Sequence, residues 1–418
     1  MKTNQEQQNI PETWEEVTMN DACELMTNGF VGKAVENYTE EPNGVTYVQG
    51  YNVTDFGFNF NGIKKVTPEF STKNSKSILK EKDLLIVQTG EVGLTTIVPP
   101  KLVGANCHAL IITRLKKQIA SPEYFLQYFR SLEGKRQIRR IKTGSTMEHV
   151  NVGDLKKVKL HLPPISEQKR IAAVLGAWDH SIKSLKRKIE IKKEIKKGLM
   201  QELLTSKTRL PGFNNPWKIY KLTQITSLIK DGTHATHMNV KNGIPLLSAK
   251  DIVDGNVITN NDPRLISQTE FEQIHKSYRI QNGDLLLCLV GSIGRVALTK
   301  DYKNNYTFQR SVGILRFKNQ SPEFFFQLMQ ASNFQKQLKQ RESRGAQGGV
   351  YLGELGKINI KIPEFEEQSA IAEILDVADK EIYRLKQKLT ILKDQKKYLL
   401  NKLVTGAIPT PESLSISK

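Results

Sequence analysis

Two stretches of the chain carry the same apolar stripe. In the first, Ile171, Leu175, Trp178, Ile182, Leu185 and Ile189 fall at alternating steps of four and three. Lys192 and Lys196 interrupt it before Leu199 and Leu203 resume it. The second runs Ile371, Leu375, Ala378, Ile382, Leu385, Leu389 and Leu392, breaks at Lys396, and ends on Leu399 and Leu403. A heptad stripe kept up over roughly four repeats predicts a long helix with one narrow seam. Both stretches follow prolines, with acidic residues in the first turn and lysines towards the end, as the helix dipole favours. Thr405-Gly406 and Pro409 stop the second one. A helix of some 38–40 residues is about 60 Å long, more than one domain core can cover. Its seam therefore needs a partner seam, and the other copy is at hand. An antiparallel pair would set the two globular modules at opposite ends. The competing expectation is that each helix folds back onto its own module.

The likeness extends beyond the stripes. Ser121 to Thr205 aligns with Ser321 to Thr405 without insertion, and about a third of the positions are identical. Ser121-Pro122-Glu123 matches Ser321-Pro322-Glu323, Gly153 matches Gly353, and Pro163 matches Pro363. Glu167-Gln168 recurs as Glu367-Gln368, Asp179 as Asp379, and Leu203 as Leu403. Further upstream the match is weaker: "DLLIVQTGEVG" at Asp83 reads against "DLLLCLVGSIG" at Asp284, and Trp14 against Trp217. A period this long is a domain duplication rather than a solenoid.

Between the helical tails the pattern turns to short alternating runs. "DLLIVQT", "ALIITRL" and "LKKVKLHL" predict strands in the first half; "GDLLLCLV", "RVALTK", "VGILRF" and "KINIKI" predict them in the second. "SPEYFLQYFRSLEGKRQIRRI" and "SPEFFFQLMQASNFQKQLKQ" each predict a helix opened by a serine cap and a first-turn proline. The expected fold class is α+β: two repeated modules with a curved, mainly antiparallel sheet, separated by two long antiparallel coiled-coil helices. The boundaries are 1–163 for the first module, 164–206 for its helix, 207–363 for the second module, 364–406 for its helix, and 407–418 for a tail.

Composition narrows the function. The chain has 38% apolar and 25% charged residues and a mean hydropathy of −0.42. No stretch reaches the ~18 apolar residues of a membrane span, and the polar start lacks a signal-peptide core, so a cytoplasmic location is expected. Cys23, Cys107 and Cys288 stand singly, as buried thiols do, without the spacing of a disulfide framework or a zinc site. The net charge of +19 points to a polyanionic partner. Charge by itself does not tell DNA from RNA or lipid, but no basic amphipathic helix with aromatic anchors favours lipid.

Catalytic signatures are not found. A methyltransferase needs a glycine-rich nucleotide loop and a Pro-Pro-aromatic turn, and "NNPWK" has one proline in a linker. A Mg²⁺ nuclease needs grouped carboxylates with a lysine, and Glu133-Gly134-Lys135 falls on a helix. Gly90/Gly93 and Gly291/Gly294 fit a tight turn better than a phosphate cradle. His234-x-x-His237 lacks supporting ligands, so no metal is expected. Polar loops carry more: "TNGFVGKAVENY", "QGYN", "TGEVGL", "GANCHA" and "IKTGSTMEHV" in the first half. In the second they are "IKDGTHATHMNVKNG", "SAKD", "GSIGRV", "FQRS" and "ESRGAQGG". Their amide, hydroxyl, imidazole and guanidinium groups can reach base edges.

The duplicated plan, with "LPPISEQKRIAAVLGAWDHSIKSL" and "IPEFEEQSAIAEILDVADKEIYRL", ending in "LMQELLTSKTRLPGF" and "LLNKLVTG", resembles the specificity subunit of type I restriction–modification systems. The likeness spans nearly the whole chain, and its most specific part is the pair of Pro-x-x-x-Glu-Gln helix starts. The resemblance implies two target-recognition domains, each reading half of a bipartite site in double-stranded DNA, and a helical spacer that sets the gap. It implies two modification (methyltransferase) subunits and two restriction (endonuclease/translocase) subunits as partners. It implies that no cofactor is bound by this chain, S-adenosylmethionine, ATP and Mg being expected on those partners. Candidate DNA-binding residues are Lys33, Tyr51, Glu91, Asn106, His108, Lys142, Ser145 and Thr146 in the first half. In the second they are Lys230, Thr233, His234, Lys250, Ser292, Arg295, Gln309, Arg310 and Arg344. Two other readings stay open on the residues: a single-chain DNA methyltransferase or nuclease carrying its own reader, and a coiled-coil scaffold that binds no nucleic acid.

Overall fold

The computed structural model describes residues 10–55, 57–145, 148–343 and 348–413. The chain divides into two compact units, Met1–Lys186 with Lys388–Lys418, and Arg187–Gln387. Both units have the same plan. In the first, a four-stranded antiparallel sheet runs in the order Cys23–Asn28, Leu110–Leu115, Leu84–Val87, Thr95–Ile97. Leu84, Leu85, Ile86, Leu110, Ile111 and Ile112 are fully buried, so the sheet is covered on both faces. A three-stranded sheet places Val45–Gln49 between Lys64–Val66 and Asn106–His108, the last pairing being parallel. In the second unit the corresponding orders are Thr226–Asp231, Val312–Phe317, Leu285–Cys288, Val296–Leu298, and Leu265–Ile266, Ile244–Leu247, Thr307–Phe308. The α+β class and the predominance of antiparallel pairing agree with the sequence; the parallel pair in each smaller sheet leaves no mark in the hydrophobic pattern.

Two local expectations are corrected. The helix expected from Ser121 to Ile141 breaks into Pro122–Arg130 and Leu132–Ile141. Ser131 is extended there, and its Oγ accepts from the Gly134 amide, capping the second helix. A Cβ at Gly134 would stand 2.1 Å from the Tyr128 carbonyl oxygen, so glycine suits the tight fit here. The helix expected over the matching stretch of the second unit breaks likewise, into Pro322–Gln330 and Ser332–Gln340, with Phe334 at that position. The strand expected over Leu155–Leu162 is confined to Lys159–Leu162, because Val152–Lys156 closes a helical turn that buries Leu155. That strand pairs with Glu15–Thr18.

The two long helices are Ile165–Leu203 and Phe365–Leu403, 39 residues each. In the first unit, Ile171, Ala172 and Leu175 share a core with Leu400, Leu403 and Val404, and with Tyr124, Phe125 and Tyr128 of the module. In the second unit, Ile371, Ala372 and Leu375 share a core with Leu203, Leu204, Phe324 and Phe325. The start of one helix thus packs against the end of the other in each unit, an antiparallel pairing. The fold-back alternative is excluded, because each helix begins in one unit and ends in the other. Along the seam Ile182, Ile189 and Ile382 are buried, while Trp178, Leu185, Leu385, Leu389 and Leu392 are half-buried. Lys192 and Lys196 do not leave the stripe. They stay on it, with Lys192 Nζ 2.8 Å from Glu381 and Lys196 Nζ 2.6 Å from Asp379.

The Glu-Gln pair that recurs at each helix start is a clamp. Gln168 accepts from the Ser121 amide (2.9 Å) and donates to the Ile119 and Pro163 carbonyls. Gln368 accepts from the Ser321 amide (3.0 Å) and donates to the Pro363 carbonyl and to Gln320. Both glutamines are buried. Glu167 accepts from the Trp14 indole and Glu367 from the Trp217 indole, each at 3.2 Å. The most specific sequence motif thus ties each long helix to the cap of its module's helix. A second repeated device is a two-pronged ion pair, Arg114 to Asp83 and Arg316 to Asp284, with all four contacts at 2.8 Å and both carboxylates buried.

Candidate nucleic-acid interface

In each unit the polar loops gather at one end of the four-stranded sheet, where the backbone ties them together. In the first, Phe30 donates its amide to Cys107 and accepts from Ala109, while Gln88 donates to Ala109. Thr89 bridges His149 and Gln88 accepts from the Val150 amide. In the second, Thr233 bridges Gln309, the Arg310 amide donates to Thr233, and the Gln309 amide donates to Leu247. Leu289 donates to Ser311, Ser311 Oγ accepts from Ala249, and Val290 bridges Gly349.

The glycine pairs form hairpin tips, with φ of 84° and 89° at Gly90 and Gly93 and 78° and 85° at Gly291 and Gly294. They are tight turns between strands. A Cβ at Gly93 would meet Ile138 at 2.7 Å, and one at Gly294 would meet Gln335 at 2.1 Å, so each tip lies hard against the module's second helix.

Tyr51, Glu91 and His108 line one open cleft of 830 Å³ together with Gln49, Asp55 and Thr89. Tyr51 is 57% exposed, and its hydroxyl donates to the Gly62 carbonyl. His108 Nδ1 stands 3.2 Å from the Tyr47 hydroxyl, and burial lowers its pKa, so the ring is neutral at pH 7 and offers one donor and one acceptor. Glu91 and Lys142 also line an adjoining cleft of 410 Å³ with Lys135 and Arg139, and Lys142 pairs with Glu148 at 2.7 Å. Lys33 and Ser145 are exposed on loops. Thr146 lies outside the described residues.

Asn106 is a correction. It is fully buried, its amide donating to the Ser71 and Asn74 carbonyls and its Oδ1 accepting from the Cys107 amide. It holds the loop in place and presents nothing to a base.

In the second unit Gln309 and Arg310 are exposed beside Thr233, whose hydroxyl shares a 2.8 Å hydrogen bond with His237 Nε2. Lys250 is exposed on the turn Ala249–Asp251; Arg295 Nη1 donates to the Ile252 carbonyl next to it, and Ser292 is half-buried on the hairpin tip. His234 pairs with Asp231 at 2.7 Å while His237 is buried on Glu270 at 3.0 Å, so the two histidines belong to separate networks. Among the described residues no group of three or more His, Cys, Asp and Glu could hold a metal. Lys230 donates to Ser277 (2.8 Å) and stands over the Tyr278 ring. Arg344 lies outside the described residues.

Sequence reasoning missed the basic face of Leu132–Ile141. Ile138 and Gly134 are buried, which leaves Lys135, Arg136, Arg139 and Arg140 exposed, with Lys135 and Arg139 lining the cleft beside the Gly90–Gly93 tip. The run "KRQIRR" is the available signal, and by pattern it says only helix. The three cysteines are free and buried, with burial pushing the Cys23 and Cys288 thiols up to about 12. No helix among the described residues is long and apolar enough to cross a membrane.

Two copies of one α+β scaffold, each with an edge of polar loops flanked by cations, have the plan of a DNA-specificity protein with two recognition domains. The family model described as the type I restriction modification DNA specificity domain matches twice, over residues 11–196 and 214–393, and the chain belongs to that family. It is 25% identical over 352 residues to the type I restriction enzyme MjaVIII specificity subunit of Methanocaldococcus jannaschii, spanning 80% of this chain and 81% of that one. It is 24% identical over 395 residues to the EcoBI specificity subunit of Escherichia coli, spanning 87% of this chain and 78% of that one. Its fold is similar to a chain solved in a study of type I R-M complex assembly and conformational transition (TM-score 0.60, 19% identity, 96% of this chain and 99% of that one). It is similar also to the S subunit from M. genitalium (TM-score 0.56, 16% identity, 96% and 98%).

Proposed function

We propose that this chain supplies sequence recognition, and no chemistry of its own, to a type I restriction–modification complex in the cytoplasm. Each unit reads one half of an asymmetric bipartite site through its loop edge. Two modification subunits and two restriction subunits complete the assembly and carry S-adenosylmethionine, ATP and Mg. The two long helices serve as the ruler that sets the spacer between half-sites. The observation that carries this reading is the duplication itself: one scaffold repeated, its helix clamps built on the same Glu-Gln pair, serine and tryptophan, its loop edges different. A scaffold without nucleic acid has no use for two divergent loop edges on matched frames. Cations flanking those edges serve phosphates, and the amide and imidazole groups serve bases.

Exchanging residues 1–163 for the same module of another family member, with its packing partners from 388–418 taken along, should change one half-site only. Methylation mapping reads the result, and a change in both half-sites would refute the division of labour. Inserting one heptad into both helices, after Lys186 and after Gln387, keeps every contact within each unit. It should lengthen the spacer by about 10 Å of helical rise, on the order of 3 base pairs. Methyl transfer from labelled S-adenosylmethionine to DNA by the pure chain would overturn the non-catalytic role.

A further inference from the structure

We propose that Gln127–Asp179–Lys396 in the first unit and Gln327–Asp379–Lys196 in the second are register locks. They fix the offset of the two long helices and so the single spacer length at which half-sites are read. The proposal rests on the ruler reading above. Lys396 Nζ stands 2.6 Å from Asp179, which also accepts from Gln127 Nε2 at 2.8 Å and lies 3.5 Å from Arg130. Lys196 Nζ stands 2.6 and 2.7 Å from the two oxygens of Asp379, which accepts from Gln327 Nε2 at 2.7 Å. The lysine side chains are only 11% and 12% exposed.

A heptad seam alone does not choose a register, because a slip of seven residues again sets apolar positions against apolar ones. These lysines do choose. A one-heptad slip would bring Lys196 opposite either Lys386 or Ala372, and Lys396 opposite either Lys186 or Ala172. One direction sets like charges together. The other buries an ammonium against an alanine that is itself buried, 4% and 8% exposed at Ala372 and Ala172. Both directions are closed at both locks. The glutamines extend the lock to the globular modules: each comes from the Ser-Pro-Glu helix, so the aspartate that fixes helix against helix is also held to its own module.

Buried ion pairs commonly add little stability over apolar replacements of similar size, and specifying register is their best-attested use. That separates a lock from a mere staple. The quadruple variant Asp179→Leu, Lys396→Leu, Lys196→Leu, Asp379→Leu should fold and still bind DNA. Selection of full-length protein on duplexes of varied half-site spacing should then show its discrimination between spacers about 3 base pairs apart falling on the order of a hundredfold. Lys196→Asp and Asp379→Lys, singly, should lose the wild-type spacer, and the exchanged pair should recover it, since Gln327 can turn its amide to offer an oxygen.

A folded quadruple variant with an undiminished spacer preference would overturn the proposal, as would an exchanged pair that fails to recover the preference. The paired heptad insertion separates the two levels. If it shifts the spacer while the quadruple variant selects as wild type, the lock fails and the ruler stands. If it shifts nothing, the ruler fails.

Discussion

Glu167 and Glu367 occupy the same place in the two clamps but carry different loads, which makes a self-controlled test. Glu367 is 2% exposed and accepts from Arg209 Nε at 2.7 Å, Arg209 Nη2 at 2.8 Å and Trp217 Nε1 at 3.2 Å. Glu167 accepts from Trp14 Nε1, and the residue at the offset of Arg209 is Pro409. Glutamine keeps the volume of glutamate, so no cavity term enters. In Glu167→Gln the amide oxygen still serves Trp14, and the expected cost is at most about 0.5 kcal/mol. In Glu367→Gln an NH₂ must face an arginine donor, and the charge that balanced a guanidinium is gone. Breaking a buried pair costs about 3–5 kcal/mol, but Arg209 is 26% exposed and water recovers part of that, so about 2–3 kcal/mol is expected. The assay is amide hydrogen exchange on the full-length chain, read at the two helix starts. Glu367→Gln should speed exchange around Gln368–Leu375 by about 30- to 150-fold, and Glu167→Gln should leave Gln168–Leu175 within about threefold. Equal losses in both copies, or none in either, would refute the argument that Arg209 makes the second clamp the stronger.

Arg310→Ala should weaken DNA binding by about 1–3 kcal/mol and relax preference within one half-site only, seen by competition with half-site libraries. Equal relaxation of both halves would count against its placement. Arg139→Ala with Arg140→Ala should weaken binding evenly across sequences and flatten the dependence of log affinity on log salt by about 2, at roughly 0.9 per phosphate contact. His275 is buried between the Thr307 hydroxyl and the Tyr278 carbonyl, and burial lowers its pKa. The unfolded chain, with a histidine pKa of about 6.5, takes up the proton first. Its contribution to stability is therefore complete above about pH 7 and is lost as pH falls through and below 6.5. Denaturation midpoints of wild type and His275→Gln should diverge above pH 6.5 and converge towards pH 5.

The long helices are legible because a 3-4 stripe of that length fits neither a strand nor a helix buried all round, and the duplication is legible because the clamps must be copied to work. What stays hidden involves partners far away in sequence. Asn106 reads as one more loop amide in "GANCHA", yet the carbonyls that claim it belong to Ser71 and Asn74, more than 30 residues upstream. Nothing local distinguishes it from His108 two positions on, which does face the cleft. Lys196 and Lys396 mislead in a different way. Judged by hydropathy they spoil a seam, and only the aspartates 183 and 217 residues away turn each defect into a fixed contact. The arginines of Leu132–Ile141 are a third case, since their exposure depends on a break at Ser131 that no periodicity shows.

The first two share a cause. Each is a polar group whose role is set by neighbours distant in sequence, whereas apolar positions report their burial through a repeated pattern. The loop edges of a recognition protein are built from such polar groups, so the frame is readable from one sequence while the division of its loop residues into base-facing and frame-holding sets is not. Asn106 and His108, drawn from one loop and sorted into opposite sets, show how fine that division is. The same reasoning tells where to look in a relative. A polar residue at the Asn106 position should be ascribed to the frame whenever the segment matching Ser71–Asn74 leaves its carbonyls open, and to the DNA only when it does not.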